Sequence, residues 1–200
     1  MKNKIKIILI ISLVIAFFGL WAFRFSVVNK DVDVSTVKYY RQGESVKYEN
    51  DFFNRDDESR DGYEITVVSS SLTTYDEYIK ACNNGVDCID ADVIHPTFIY
   101  DIEVLVRNNN TEDDLYKGID LINTRLVTVN DSMQVNDALF SVLYPNLSGV
   151  LGFSLKPKSE MTFHLPYATY EENLSEQKIL SKDWQLLISL YPTEKLIEVK

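Results

Sequence analysis

The sequence predicts a mainly β protein, a β-sandwich with one or two short helices, preceded by a single N-terminal transmembrane helix. The helix is indicated by an uninterrupted apolar run from Ile7 to Phe23. The sandwich is indicated by several later segments in which apolar and polar residues alternate, a period of two that is typical of strands with one buried face. About seven or eight short strands of this kind fit into two packed sheets.

The apolar run is long enough to cross a membrane as a helix. Its seventeen residues contain no charged side chain, and at helical rise they cover most of a hydrocarbon core that is roughly 30 Å thick. Three lysines precede the run and no acidic residue occurs in the first thirty positions, which predicts a cytoplasmic N-terminus and an extracytoplasmic remainder. The predicted boundaries are residues 1–6 for the cytoplasmic N-terminus and residues 7–24 for the transmembrane signal-anchor.

A cleaved signal peptide is the alternative to an anchor. The apolar region of a signal peptide is roughly 7–15 residues long and ends at a site of small residues. Here the run is longer and ends with Trp21, Phe23 and Arg24, which suit a membrane–water interface better than a cleavage site. The sequence therefore favours an uncleaved anchor in the cell membrane, with a single span and an extracytoplasmic C-terminal domain.

The part of the chain outside the membrane is strongly acidic. Of the 20 basic and 30 acidic residues, the first thirty positions hold five basic and no acidic ones, so the remainder carries a formal charge of −15. Such a surface repels nucleic acid and anionic lipid headgroups and attracts cations or basic peptides. A merely solvated acidic surface is the alternative interpretation.

The remaining chain divides into a weakly patterned stalk or linker, residues 25–41, and one domain, residues 42–200. Four segments of this domain alternate most clearly, and they are Gly62–Val68, Phe98–Arg107, Met161–Leu165 and Trp184–Leu190. Their apolar positions are predicted to form the core: Tyr63, Ile65, Val67, Tyr100, Ile102, Val104, Phe163, Leu165, Trp184, Leu186 and Ile188.

Two short helices are predicted between the strands. Thr74 and Glu77 have the spacing of a capping box, which predicts a helical turn or two that extend to Ala81. Apolar residues recur at helical spacing from Val135 to Leu143, and the following Tyr-Pro pair is expected to end that helix.

The order of several segments resembles a family of uncharacterised bacterial proteins. The segments that carry the resemblance are RQGESV, GYEITVVSS, YDEYIK, IYDIEVLVRN, LKPKSEMTFHLPY and WQLLISLYPTEK. The resemblance covers roughly residues 38–199 and implies a membrane-anchored, extracytoplasmic protein with an immunoglobulin-like sandwich. The family has no assigned activity, so the resemblance implies no functional residues.

Two cysteines in the segment CNNGVDC are the clearest candidate for a covalent feature. Cys82 and Cys88 enclose an Asn-Asn-Gly turn, and in an extracytoplasmic domain such a pair is predicted to form a disulfide. Two reduced thiols are the alternative. A zinc site is not expected, because the gap of five residues is wider than the usual ligand spacing and no second pair follows.

Other candidate sites carry weaker signals. The acidic turn between Asn54 and Gly62 has oxygen ligands suited to calcium, but the spacing of a calcium loop is missing and arginines neutralise part of its charge. Neither His95 nor His164 belongs to a catalytic motif. Tyr167 and Tyr170 are expected to be exposed and could contact a sugar or peptide.

Two classes of function remain open. The first is a non-catalytic binding or interaction module outside the membrane, whose partner is a protein or a cationic peptide. The second is a hydrolase that acts on polymers of the cell envelope. The sequence predicts no catalytic, cofactor-binding or metal-binding residues, which favours the first class, although a sandwich fold alone decides nothing about function.

Overall fold

A computed structural model describes residues 2–30, 36–53, 60–82, 95–113, 117–147, 152–170 and 175–200. The chain divides into two compact units, Met1–Val34 and Ser35–Lys200. Within the described residues, the elements in chain order are α1 (Lys2–Val28), β1 (Thr36–Tyr40), β2 (Val46–Lys47), β3 (Tyr63–Thr74), α2 (Tyr75–Cys82), β4 (Phe98–Asn108), β5 (Arg125–Val127), β6 (Ser132–Gln134), α3 (Asp137–Leu143), β7 (Ser159–Thr169), α4 (Glu176–Leu180), β8 (Gln185–Ser189) and β9 (Thr193–Glu198).

The first unit contains α1, and this helix has the dimensions of a membrane span. Its segment Ile5–Val28 is 24 residues long, which at helical rise corresponds to about 36 Å, more than the hydrocarbon thickness of a bilayer. Large apolar side chains are exposed along it, for example Leu13 and Phe17. By length and composition, α1 could therefore anchor the protein in a membrane.

The second unit is mainly β and contains two sheets. The five-stranded sheet has the order β1-β9-β8-β5-β6, and the four-stranded sheet has the order β2-β3-β4-β7. In the second sheet, β4 pairs antiparallel with β3 on one side and with β7 on the other along its whole length. A single cluster of buried residues contains members of both sheets, so the two inner faces share one core.

All eleven core residues predicted from the alternating segments are buried, which confirms that part of the prediction. Among them Ile65, Ile102, Phe163 and Leu186 have no exposed surface. Each alternating segment forms a strand or leads directly into one, and its period of two places every second side chain on the inner face. The predicted helices also form, as α2 and α3, and the carboxylate of Glu77 accepts a hydrogen bond from the Thr74 hydroxyl.

The sheet begins earlier than the sequence indicates. Residues 36–40, which lie inside the predicted stalk 25–41, form β1 and pair in parallel with β9. Four of the five residues of β1 are exposed, so the strand has no alternating burial that could reveal it in the sequence. Its pairing partner lies more than 150 residues away in the chain, which hides it from any local pattern.

A buried lysine joins β9 to the turn that follows β2. The Lys195 side chain is only 1% exposed, and its ammonium lies 2.6 Å from the Asp51 carboxylate and 2.8 Å from that of Glu49. The ammonium also donates hydrogen bonds to the carbonyl oxygens of Lys47 and Tyr48. Burial alone would lower the pKa of Lys195, but hydrogen bonds to the two carboxylates outweigh it and raise that pKa above its ordinary value.

A second buried cation lies in the same region. Arg60 is only 2% exposed, although the sequence places it in a charged turn. Its guanidinium donates a hydrogen bond to the carbonyl oxygen of Ile188 and lies over the rings of Tyr48 and Phe53, 5.5 and 5.8 Å from their centroids. Aromatic faces and a carbonyl thus replace part of the water around this charge.

The Lys195 network makes a testable contribution to stability. We expect Lys195→Met to lower the free energy of unfolding by about 3–5 kcal/mol, because it leaves the buried Asp51 carboxylate without its cation. Denaturant unfolding of the full chain in detergent micelles measures the loss, with exposed Lys178→Met as the matched control. Adding Asp51→Leu to Lys195→Met should recover part of the loss. A loss no greater than that of the control would contradict the account.

Candidate functional site

The described part of the domain contains a cleft of about 740 Å³. It lies between the end of β1, the end of β9 and the segment from α4 to β8. Its volume is within the range of small-molecule and peptide sites. Its lining includes Tyr39, Tyr40, Arg41, Tyr100, Leu180, Lys182, Asp183, Trp184, Glu198 and Lys200.

Aromatic side chains form much of the cleft wall. Trp184 is buried, its indole N–H donates a hydrogen bond to the Ile179 carbonyl at 2.8 Å, and its ring meets that of Tyr100 edge to face at 6.4 Å. These contacts fix the floor of the cleft. At its rim, Tyr39 is 68% exposed and Leu180 is 65% exposed, so both side chains are accessible from solvent.

Hydrogen bonds hold Lys200, two residues after β9, beside the cleft. The Lys200 N–H donates to the Gln42 side-chain oxygen at 2.7 Å, and the Ser70 hydroxyl donates to the Lys200 carbonyl at 2.6 Å. Ser70 in turn lies 3.3 Å from the Tyr100 hydroxyl. The cleft wall is therefore built on residues whose positions are fixed by polar contacts.

The charges around the cleft are mixed, unlike the acidic domain as a whole. Lys182 forms an ion pair with Asp131, and Lys200 forms one with Glu198 at 3.0 Å. Among the described residues, the Arg41 guanidinium at the rim forms no ion pair, but the Glu44 carboxylate lies close by, since it accepts a hydrogen bond from the Arg41 backbone N–H at 3.1 Å. A cleft with the exposed ring of Tyr39 and mixed charges suits the binding of a polar chain better than that of a purely apolar molecule.

A second polar site lies on the outer face of the four-stranded sheet. The His164 Nδ1 is 2.6 Å from the Asp101 carboxylate, and the Tyr78 hydroxyl donates to the other oxygen of that carboxylate at 3.4 Å. Burial raises the pKa of Asp101, and the hydrogen bond from His164 opposes the increase. The pair could orient an imidazole as a general base, but no described serine, threonine or cysteine side chain hydrogen-bonds to His164.

The predicted disulfide lies partly outside the described residues. Cys82 is the last residue of α2, whereas Cys88 belongs to the undescribed segment 83–94, so their bond stays a prediction. Most of the acidic turn between Asn54 and Gly62 is also outside the described residues. Within the described part, no group of three or more histidine, cysteine or acidic side chains could hold a metal ion.

The predicted exposure of Tyr167 is wrong. Tyr167 is fully buried, and its hydroxyl lies 3.1 Å from that of Thr124. The reason is that β7 continues beyond Pro166 to Thr169, so the alternation that buries Leu165 also buries the residue two positions later. Tyr170, which is also predicted to be exposed, lies just beyond the end of this strand and is half-buried.

The residues that the structure brings together at the cleft show no local pattern in the sequence. Tyr39 and Arg41 fall in the segment predicted as a stalk, and Leu180 lies in the short helix α4, which has little pattern. The segment TVKYYR nevertheless places two tyrosines beside a lysine and an arginine. Because aromatic residues and arginines are enriched in binding sites, this composition could have indicated one.

The fold and the cleft define a class of protein: a mainly β domain with an open, mixed-charge cleft, joined in sequence to an apolar helix long enough to span a membrane. The chain belongs to the family described as a domain of unknown function, DUF5028, whose profile matches residues 37–195. The match begins at the second residue of β1, which agrees with the sheet beginning before residue 42. No curated protein and no solved structure matches the chain.

The floor of the cleft should also be a main source of stability. We expect Trp184→Ala to lower the free energy of unfolding by about 3–5 kcal/mol, because it removes a fully packed ring and its hydrogen bond. Leu180→Ala, at the exposed rim of the same cleft, should change it by about 0.5 kcal/mol or less. Denaturant unfolding of the full chain in detergent measures both. Equal effects would show that the Trp184 ring is not packed as described.

Proposed function

We propose that this protein is a membrane-anchored, extracytoplasmic binding module without catalytic activity, which holds a protein or peptide partner in the cleft beside β1. The observation that carries the proposal is the cleft itself, with exposed Tyr39 and Leu180 at its rim and an Arg41 guanidinium that forms no ion pair with a described residue. Aromatic side chains and arginines are enriched in recognition surfaces.

The proposal includes an immunoglobulin-like fold for the domain. The order β3-β4-β7 matches strands A, B and E of such a sandwich, and β9-β8-β5-β6 matches strands G, F, C and C′. In both, the chain passes from one sheet to the other after B, after C′ and after E. β1 and β2 are additions before the first of these strands. Immunoglobulin-like sandwiches commonly serve as recognition domains, although the fold alone does not establish that role.

The location outside the membrane rests on the charges that flank α1. Three lysines precede the apolar run, no acidic residue occurs in the first thirty positions, and residues 31–200 carry a formal charge of −15. The bias of positive residues towards the cytoplasm supports an N-terminus inside and a domain outside. The net charge also supports a partner that is cationic over most of its surface.

The topology can be tested by proteolysis. Protease added to intact cells without a wall should digest the residues beyond 35 and leave a membrane-bound fragment that contains α1, because the domain is exposed to the medium. Immunoblotting with tags at both termini measures the fragments. A domain that is digested only after the membrane is permeabilised contradicts the proposed orientation. Release of the intact domain without protease contradicts the anchor.

A hydrolase of envelope polymers is the second candidate, and the contact between Asp101 and His164 favours it. A carboxylate that orients an imidazole is part of many hydrolytic sites, and the His164 side chain is 46% exposed. The pair lacks a described nucleophile, however, so this candidate requires water activated directly by His164. We rank it below binding for that reason.

Binding in the cleft can be tested by site-specific photo-crosslinking in cells. A photoreactive amino acid at Leu180 should give a discrete adduct, because this side chain is at the rim of the cleft. The same amino acid at Val129, which is 97% exposed on another turn, is the matched control and should not give that adduct. Arg41→Ala should reduce the adduct at Leu180 several-fold, whereas exposed Arg125→Ala should not.

Three results would contradict the proposal. The first is an identical adduct pattern at Leu180 and Val129, and the second is no adduct at either position. The third is turnover of a wall polymer by the purified full chain that is lost in His164→Ala, which would support the hydrolase instead.

A further inference from the structure

The strand β1 is an edge of the five-stranded sheet with one side unpaired. The Thr36 N–H donates to the Pro192 carbonyl at 3.3 Å, so the backbone groups of Thr36 face β9. Because successive residues of a strand direct these groups to opposite sides, Val37 and Tyr39 present theirs away from β9. No described residue hydrogen-bonds to the N–H or carbonyl groups of Val37 or Tyr39.

The other long edge is protected at the corresponding place. On the open side of β7, the His164 N–H donates to the Tyr144 hydroxyl at 2.7 Å, and the Pro166 carbonyl accepts from the Asn136 N–H at 2.7 Å. An open edge of β-branched and aromatic residues is a template for another strand, which proteins usually cover or charge. Among the described residues β1 lacks such cover, and Lys38 is the charge that protects it, so a partner strand has to accommodate that charge.

A second copy of the chain is a poor occupant of this edge. The antiparallel register that uses both open residues places Val37 opposite Tyr39 of the other copy. It therefore places Lys38 directly opposite Lys38, in a pair whose side chains are the closest of the ladder. Like charges in that position are destabilising, so pairing between the β1 strands of two copies is disfavoured.

The charge of the edge indicates what it would accept. The segment Thr36–Arg41 contains Lys38 and Arg41 and no acidic residue. Glu49, whose charge interacts with Lys38, is already hydrogen-bonded to Lys195. On the outer face, Val37 lies opposite Glu194 and Tyr39 lies opposite Leu196, which belongs to an apolar cluster with Phe53. An added strand would thus meet Val37 and Tyr39 on one face and Lys38 on the other.

We propose that β1 binds an extended segment of a different protein by strand addition, and that this segment is apolar opposite Val37 and Tyr39 and acidic opposite Lys38 and near Arg41. The inference rests on the proposed binding function and specifies how the partner is held. The cleft continues from the Arg41 end of the strand, so the next side chains of the segment enter it. Main-chain hydrogen bonds supply affinity, and the alternate side chains supply specificity. Acidic residues are required only in the segment that pairs with β1, so the rest of the partner can still carry the net positive charge proposed above.

Peptide selection on the full chain tests this inference without knowledge of the natural partner. The full chain in lipid nanodiscs is used to select binders from a display library of random linear peptides, with empty nanodiscs as the counter-selection. Selected peptides are then resynthesised in three forms: unchanged, with each acidic residue replaced by lysine, and with N-methyl groups at alternate backbone positions. Affinity is measured by calorimetry, and amide hydrogen exchange is measured in the protein with and without each peptide.

Strand addition predicts a specific set of results. The unchanged peptides should slow exchange of the Val37 and Tyr39 amides tenfold or more, and replacement of their acidic residues by lysine should weaken binding tenfold or more. N-methylation should weaken binding at one set of alternate positions and not at the other, since only one set faces β1. Lys38→Ala with Arg41→Ala should abolish the preference for acidic peptides, whereas Arg125→Ala should leave it unchanged.

The failures of the two proposals are distinguishable. Peptides that protect cleft residues such as Leu180 but leave the Val37 and Tyr39 amides unprotected would overturn strand addition while the binding function stands. Selected peptides whose affinity does not depend on their acidic residues would also overturn the inference and leave the binding function standing. No enrichment over empty nanodiscs would count against the binding function itself, and with it the inference.

Discussion

The buried ammonium of Lys195 is the interaction on which the arrangement of the domain most depends. Removing a charge from water is costly, and here two carboxylates and two backbone carbonyls of residues 47–51 offset that cost. The contact ties the last strand to the turn after β2. β9 in turn pairs with β1 and leads to Lys200 beside the cleft. The open edge and the cleft therefore both depend on the position that this one contact gives to β9.

The core was predictable from the sequence because the alternation in β3, β4, β7 and β8 is local and regular. In a strand with one buried face, apolar and polar residues alternate. The burial of residues such as Ile65 and Phe163 can therefore be inferred from the polar residues on either side of them. The same reasoning identified α2 through its capping box and α3 through its helical spacing. The apolar helix was recognisable from its length and lack of charge.

The candidate site was not predictable, because its parts are distant in sequence and follow no period. Tyr39 and Lys200 come together through the parallel pairing of β1 and β9, and Leu180 reaches the same cleft from α4. Burial of charged groups was equally hidden: Asp101 occupies an outward position of β4, yet Tyr78 of α2 covers it, and Arg60 is enclosed by aromatic rings. Such burial depends on tertiary neighbours, which composition and alternation do not contain.

The parallel pairing of β1 with β9 has a mechanical consequence. The chain enters β1 at Thr36, whereas the cleft lies at the opposite end of the two strands, beside Arg41 and Lys200. A tether that pulls before Thr36 and a ligand held in the cleft would load the ladder along its strands. Under such a load the hydrogen bonds between β1 and β9 share the strain together in shear, whereas a pull across one end would break them one after another. If the proposed binding function holds, the first and last strands would form a shear joint that resists the separation of tether and ligand.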